Sequence, residues 1–388
     1  MKLVRIFSAA VLAAFMLLIC GCWDDYELNA LFIVTGIALD SSQNPSQMDI
    51  SVQIAKPHPS SEGKSDSENE PVILMNTTAP TMSDALSVFN RNSNRTLMLQ
   101  HNQVLLLGKS LAEDNIIKHL DLFMRDQETR MEVLVMVVDG RAEDIINAQL
   151  EQDSISGMFL ARLITDLTTA SSHYQIRMID FVSRLLDESV APIAPIVSLK
   201  ENNGKQEIVM NGMAVFDNER MIGQLTNDEV TGYIWAMGDV SRGEVSFSTE
   251  WGTAVLNISS LTAKREISFD NEKVQVNLSI KAQLHIGQIS GFKYISMEEL
   301  MAHLQTSAEQ AIRDKIMNSF EISKTLNADI FGFGRSIYRT YPSEWKKIRE
   351  EWETVYQNLE LDVNVDAHIA TTGQITDSLE MEEGKSAD

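Results

Sequence analysis

HNQVLLLGKSLAEDNIIKHLDLFMRDQETRMEVLVMVVD, residues 101–139, sets the fold class. Its first part, His101 to Gly108, ends in an apolar run of the length and β-propensity of a buried strand. Leu111 to Phe123 then carries apolar residues at helical spacing, and Met131 to Asp139 is a second apolar strand. Strands alternating with helices predict a mixed sheet covered by helices. The expected class is α+β, multidomain, with mixed sheets and packed helices.

Upstream, Leu31–Asp40 and Met48–Ala55 read as strands. Residues 57–71 (PHPSSEGKSDSENEP) then interrupt with prolines, serines and acids, as a surface loop does. Pro71–Asn76 resumes as a strand, and Thr81–Phe89 places Met82, Ala85, Leu86 and Phe89 on one helical face. Downstream, residues 154–189 look mainly helical, and Ala191–Leu199 reads as an extended connector because Pro192 and Pro195 discourage helix. Glu207–Phe216 and Arg220–Gln224 flank Asp217-Asn-Glu219 as a hairpin, Asn227–Met237 is a short helix, and alternating strands follow from Gly243 to Ile286.

Ser296-Met-Glu-Glu299 is a capping box opening a long helix. Its buried stripe should be Leu300, Leu304, Ala308, Ile312, Ile316 and Phe320. A second helix is expected after Pro342, with Trp345, Ile348, Trp352 and Val355 inward and Lys346–Glu350 and Lys347–Glu351 as solvent pairs. Leu359–Ile369 alternates as a final strand, and the acidic tail after Thr376 should fray.

Charge and composition narrow the function. The 388 residues hold 32 Lys and Arg against 55 Asp and Glu, a formal net charge of −23. That excess disfavours nucleic acid as the partner, and electrostatic adhesion to an anionic bilayer. The histidines, His58, His101, His119, His173, His285, His303 and His368, show no zinc-helix spacing. His303 reads as a helix-surface residue. There is no phosphate-binding glycine loop, Gly332-Phe-Gly334 lacks the dinucleotide fingerprint, and Ser241 is out of register for a nucleophile elbow. Ser61–Lys64 matches SxxK only within the low-complexity loop. No catalytic residue, cofactor-binding residue or metal ligand is therefore nominated. Two denser clusters stand out. Arg125-Asp-Gln-Glu-Thr-Arg130 reads as a helix end with solvated charges or as a docking site; Asp329-Ile-Phe-Gly-Phe-Gly334 with Tyr341-Pro-Ser-Glu-Trp345 reads as a tight packing corner or as a ligand pocket.

The first residues add an anchor. Lys2 and Arg5 precede an uncharged, mainly apolar run from Ile6 to Ile19, shorter than the ~20 residues a spanning helix needs. Ile19-Cys20-Gly21-Cys22 follows and resembles the lipobox of bacterial lipoproteins. Cleavage before Cys22 would let its thiol carry a diacylglycerol, and two acyl chains suffice for stable anchoring. No further apolar run of about 18 residues occurs, so a soluble body on an N-terminal lipid tether is expected. With Cys22 consumed, the body would hold no free thiol.

Several stretches together resemble one family. Cys22-Trp-Asp-Asp-Tyr-Glu-Leu28 resembles the mature start of the Ger(x)C spore germination lipoproteins, the C subunits of nutrient germinant receptors. Gln100–Gly108, Arg125–Arg130, Asn211-Gly-Met-Ala-Val-Phe216, Met221-Ile-Gly223 and Asp329–Gly334 running to Tyr341, Trp345 and Trp352 follow in order. The resemblance implies three α+β domains and a non-enzymatic lipoprotein on the outer face of the spore inner membrane. It implies integral A and B subunits as partners, in an assembly that senses nutrients and triggers release of ions and dipicolinate. It leaves direct germinant binding by this subunit open and transfers one functional residue, the lipidated Cys22. The expected divisions are a leader at 1–21, domains at 22–190, 191–242 and 243–375, and a tail at 376–388. The competing readings are an extracytoplasmic solute-binding lipoprotein, which would need a cleft with convergent polar groups, and an exported hydrolase, which would need clustered acids or a triad.

Overall fold

Among the described residues, nine strands share one sheet and four more form a second. The computed structural model describes residues 30–56, 71–125, 129–169, 174–238, 240–270, 273–292 and 296–370. The leader with Cys22, the loop from residue 57 to residue 70 and the acidic tail lie outside these residues, as do His58 and His173.

The chain begins with β1 (Leu31–Ser41), β2 (Met48–Ala55) and β3 (Val72–Ala79), an antiparallel meander. Helix α1 (Met82–Arg91) follows, capped by the Thr81 hydroxyl, with Met82, Ala85 and Phe89 buried as their spacing requires. Then come β4 (Thr96–Met98), β5 (Val104–Gly108), α2 (Lys109–Ala112), α3 (Ile117–Arg125), β6 (Leu134–Val138), α4 (Ala142–Ile146), α5 (Ser156–Thr169) and α6 (Met178–Leu185). Strands β4 and β5 both run parallel to β1, and β6 runs parallel to β5.

Continuous apolar runs fit here because both faces of the sheet are covered. Leu105, Leu107, Val135 and Val137 face one layer with α1, α3 and α6, whereas Val104, Leu106, Met136 and Val138 meet α4 and α5 on the other.

The expected 111–123 helix is two pieces. Asn115 Oδ1 accepts the Ile117 N–H at 3.1 Å, restarting the helix, and Ile116 donates its N–H to Glu219 O at 2.9 Å. That tertiary bond draws the backbone out of the helical path. The strand beginning at residue 101 is also shorter than expected, because Leu99–His101 form a 3-10 turn.

A larger correction concerns the proline segment. Ile193–Asn202 is β7, with Ile193 to Ser198 buried, and it pairs antiparallel with β8 (Lys205–Phe216). The β7–β8 register shifts between Pro195 and Val197, so the irregularity absorbs a residue that has no ladder donor. Strand β9 (Met221–Leu225) closes the sheet after a turn in which Asp217 Oδ1 accepts the N–H groups of Glu219 and Arg220, each at 2.8 Å. The expected divisions at 190/191 and 242/243 fall immediately ahead of β7 and β10. The strands between them continue the larger sheet, joined to it at β6 by two residue pairs among the described residues, Val137↔Ile196 and Val138↔Val197.

Helix α7 (Asn227–Met237) leads into the second sheet, β10 (Gly243–Thr249), β11 (Gly252–Asp270), β12 (Lys273–Ser290) and, after a long crossover, β13 (Glu360–Ala370) parallel to β12. The crossover holds α8 (Met297–Thr325), α9 (Phe333–Thr340), α10 (Pro342–Ile348) and α11 (Trp352–Gln357). The Ser296–Glu299 capping box forms, and the whole predicted stripe from Leu300 to Phe320 is no more than 2% exposed. At 1.5 Å per residue α8 runs about 43 Å, long enough to back the second sheet and reach α7. There the two helices touch backbone to backbone: a Cβ on Gly232 would lie 2.0 Å from Lys315 O.

The single helix expected after Pro342 is likewise interrupted, by a 3-10 turn at Arg349–Glu351. Trp345 and Trp352 are buried, Ile348 and Val355 only partly so, and Lys347 pairs with Glu344 at 2.9 Å instead of with Glu351. No helix among the described residues is long and apolar enough to cross a membrane.

Candidate functional site

The sequence cluster at 329–334 lies where the three expected divisions meet. Asp329 follows α8 and is 5% exposed. Its Oδ1 accepts the Phe333 N–H at 3.1 Å and its Oδ2 the Gly334 N–H at 2.8 Å, so the carboxylate caps α9 from inside the protein. The N-cap residue, Gly332, has φ 68°, a left-handed conformation that suits glycine and leaves the cap without a side chain of its own. Gly334 is a close approach: an added Cβ would sit 2.7 Å from Ser189 O and 2.8 Å from the Trp352 ring.

Aromatic rings pack around this turn. Phe331 and Phe333 stack with centroids 5.5 Å apart and planes 8° from parallel. Tyr233 of α7 meets Phe331 at 5.4 Å, and Tyr174 meets Tyr233 edge-on at 5.4 Å. Phe320 of α8 lies 6.1 Å from both stacked rings. Tyr356 and Ser323 share a 2.6 Å O–H···O bond, and burial raises the Tyr356 pKa well above the ordinary value.

Two guanidiniums enter the same core. Arg184 of α6 is 8% exposed and donates to Ala191 O, Ile330 O and the Tyr233 hydroxyl at 3.0, 3.1 and 3.2 Å. Arg265 of β11 donates to Phe331 O at 3.1 Å and lies 4.8 Å above the Phe333 ring. Burial pulls the Arg265 pKa down, with the Asp329 charge opposing. Burial likewise pushes the Asp329 pKa up to about 6, against the Gly334 and Phe333 N–H groups and Arg265, which favour its charge. At the rim, Arg335 of α9 pairs with Asp187 at 2.7 Å and sends its backbone N–H to Ser189 O at 3.1 Å.

This is fastening chemistry. Residues 184–191, Tyr233 and residues 320–356 are bound by directional bonds that fix their relative placement. The packing-corner reading of 329–345 therefore holds, with Trp345 and Trp352 meeting at 5.3 Å. Arg184, Arg265 and Tyr233 escaped the sequence reading. Their signal was parity: Arg265 sits in step with the inward residues Leu261 and Ala263, and Arg184 lies beside buried Phe181, Val182 and Leu185.

Other nominated residues scatter. Arg125 pairs with Asp121 at 2.7 Å on the surface and Thr129 donates to Phe123 O at 3.0 Å, as at a solvated helix end; residues 126–128 lie outside the described ones. His303 differs from the surface residue expected. Trp251 covers it in a stack 4.3 Å between centroids, and Phe292 stands at 6.2 Å. The β10–β11 turn reaches over α8 there, which helical periodicity cannot register. His119 is 8% exposed, and burial lowers its pKa to about 4. No group of three or more His, Cys, Asp or Glu suited to a metal ion occurs among the described residues.

The described residues form a mixed-sheet α+β body of two sheets, fastened at a buried joint. Comparison with known proteins places it more closely. Residues 24–199 match the spore germination protein N-terminal domain, and residues 211–373 match the spore germination B3/GerAC-like C-terminal domain. The chain is similar to spore germination protein KC of Bacillus subtilis (strain 168), 24% identical over 94% of this chain and 96% of that one. It is also 24% identical to spore germination protein A3 of the same organism, over 92% and 95% of the two chains. The crystal structure of the GerBC protein has the same fold, with TM-score 0.56 and 16% identity over 87% of this chain and 97% of that one. The chain belongs to the Ger(x)C family of spore germination proteins.

Proposed function

We propose that this chain is a non-enzymatic lipoprotein subunit of a spore nutrient germinant receptor, working through assembly with integral A and B subunits. The carrying observation is that two spore germination domains, 24–199 and 211–373, occupy nearly everything that follows Cys22. The buried joint supports the reading, because it gives the body a fixed shape to present to a partner. We assign the divisions 22–190, 191–242 and 243–375 as its three domains, and Cys22 as the lipid attachment on the outer face of the spore inner membrane. Two acyl chains would hold the acidic body at the bilayer and raise its effective concentration against the integral partners.

Replacing Cys22 with Ala tests the reading directly. The variant should leave the membrane fraction, lose crosslinks to A- and B-type subunits in spore membranes, and respond weakly to nutrient. Full membrane retention with an unchanged germination response would overturn the proposal.

A further inference from the structure

Charges in the joint do not balance. Among the described residues, Arg184 and part-buried Arg265 share one buried carboxylate, Asp329. The nearby pairs Arg335–Asp187 and Lys264–Glu266 are each neutral within themselves. One interior cation is therefore left over, in a chain whose formal net charge is −23.

The surplus is on Arg265. Nη1 donates to Phe331 O and, at 3.3 Å, to Ser336 Oγ. Nη2 meets only the Met237 sulfur among the described residues, at 3.5 Å, and thioether sulfur is a weak acceptor. Nε is buried and has no partner among the described residues. The Nε–Nη2 edge, one of those with which a guanidinium grips a carboxylate through two parallel bonds, is thus unused. Arg265 and Met237 also line a groove of about 740 Å³, whose walls include Ser268, Asn277, Ser336 and Tyr341. That volume suits a small molecule. Met237 is 39% exposed, and its unbranched thioether is a flexible cover.

We propose that this groove binds a monocarboxylate, gripped by Nε and Nη2 of Arg265 after the Met237 side chain swings aside. A single surplus cation matches a single negative charge. Serine, asparagine and tyrosine supply neutral donors, while Ala236, Ala263 and Ile267 accommodate a short apolar body. The 329–334 turn gains a role from this: Phe331 O and the Phe333 ring aim the guanidinium.

Calorimetric titration of the full chain in detergent micelles tests the site, using butyrate, its uncharged isostere butyramide, and the peptide acetyl-Gly-Asp-Gly-amide. Butyrate should bind saturably, at least tenfold tighter than butyramide. Arg265→Gln should lose that tenfold. Thr340→Trp, which fills the groove from the exposed end of α9, should abolish binding while the melting temperature stays unchanged. Binding of the peptide without butyrate supports the carboxylate site and assigns its source to a protein side chain. Absence of saturable heat from both, equal binding of butyramide, or undiminished binding to Thr340→Trp overturns the proposal.

Discussion

Asp40 and Asp329 perform one task in two surroundings. Each is buried, each accepts two backbone N–H groups at the start of a helix, and burial raises the pKa of each. Asp40, next to last in β1, takes Ala142 N–H at 2.8 Å and Glu143 N–H at 2.9 Å, tying the sheet to α4; its nearby countercharge, Arg141, has a side chain 47% exposed. Asp329 takes the same two kinds of bond, but the charges that depend on it are Arg265 and Arg184, inside the joint. Removing Asp40 leaves two helix-end donors and a cation that water can reach. Removing Asp329 also strands cations that water reaches poorly. The bonding geometry is shared, and the cost of losing it is set by where the countercharge sits.

Substituting both residues breaks or sharpens that contrast. Asp329→Ala should destabilise by about 3–5 kcal/mol, the range for breaking a buried charge pair from one side. Asp40→Ala should cost about 1–2 kcal/mol, the range for a lost helix cap. Urea unfolding of both variants at neutral pH measures the gap, and equal losses would show that the buried arginines do not depend on Asp329.

Titration separates two buried groups, Asp329 in the joint and His119 of α3, by sign. The Asp329 pKa is about 6 in the folded protein against an ordinary 3.8. As pH rises through that window the unfolded chain ionises first, so this group's stability is full below it, declines across it and is constant above. The two-unit shift corresponds to about 3 kcal/mol. His119 runs the other way: its folded pKa is about 4 against 6.5, so stability is full above 6.5 and lost as pH falls toward 4. Relative to wild type, Asp329→Asn should therefore gain between pH 4 and 6.5, whereas His119→Leu should gain in the opposite direction, on acidification. Melting curves at half-unit pH steps would expose parallel profiles, which would refute the assignment.

Much of the sheet was legible because its rules are local. The run Met131–Asp139, the stripe from Leu300 to Phe320 and the Ser296 capping box depend on neighbours a few residues apart. The interruption at Asn115 was not, since it depends on Glu219 O, and Pro195 enters a buried strand because β8 supplies an irregular register. At the candidate site, the 329–334 cluster advertised itself through its glycines and aromatics. Arg184 and Arg265 did not, because a charged residue at an inward position reads as an exception until its carbonyl partners arrive from distant segments.

Gly232 asks whether the joint's polar contacts or its helix contact dominates. Alanine there must push α7 away from Lys315 O, a backbone atom that cannot rotate aside. An overpacking loss of about 2–3 kcal/mol is expected, below that of Asp329→Ala. Thermal unfolding of Gly232→Ala alongside Asp329→Ala orders the two; a larger loss at Gly232 would make the α7–α8 crossing the dominant fastener.

Charged side chains also serve the outer edge of the second sheet, where water screens them. Strand β13 is an edge, and an unprotected edge of this length invites pairing with another chain. From α8, Arg313 donates to Val363 O at 2.9 Å, and Glu309 accepts the Ala367 N–H at 3.1 Å. Both groups belong to the side of β13 away from β12. Losing both bonds through Arg313→Ala with Glu309→Ala should cost only about 1–2 kcal/mol in folding, since water can replace them. The effect should appear instead as concentration-dependent association, measurable by light scattering at a temperature where the fold persists. If the double variant stays monodisperse, the two side chains brace the strand without guarding it, and charge at this edge matters as little as water makes it.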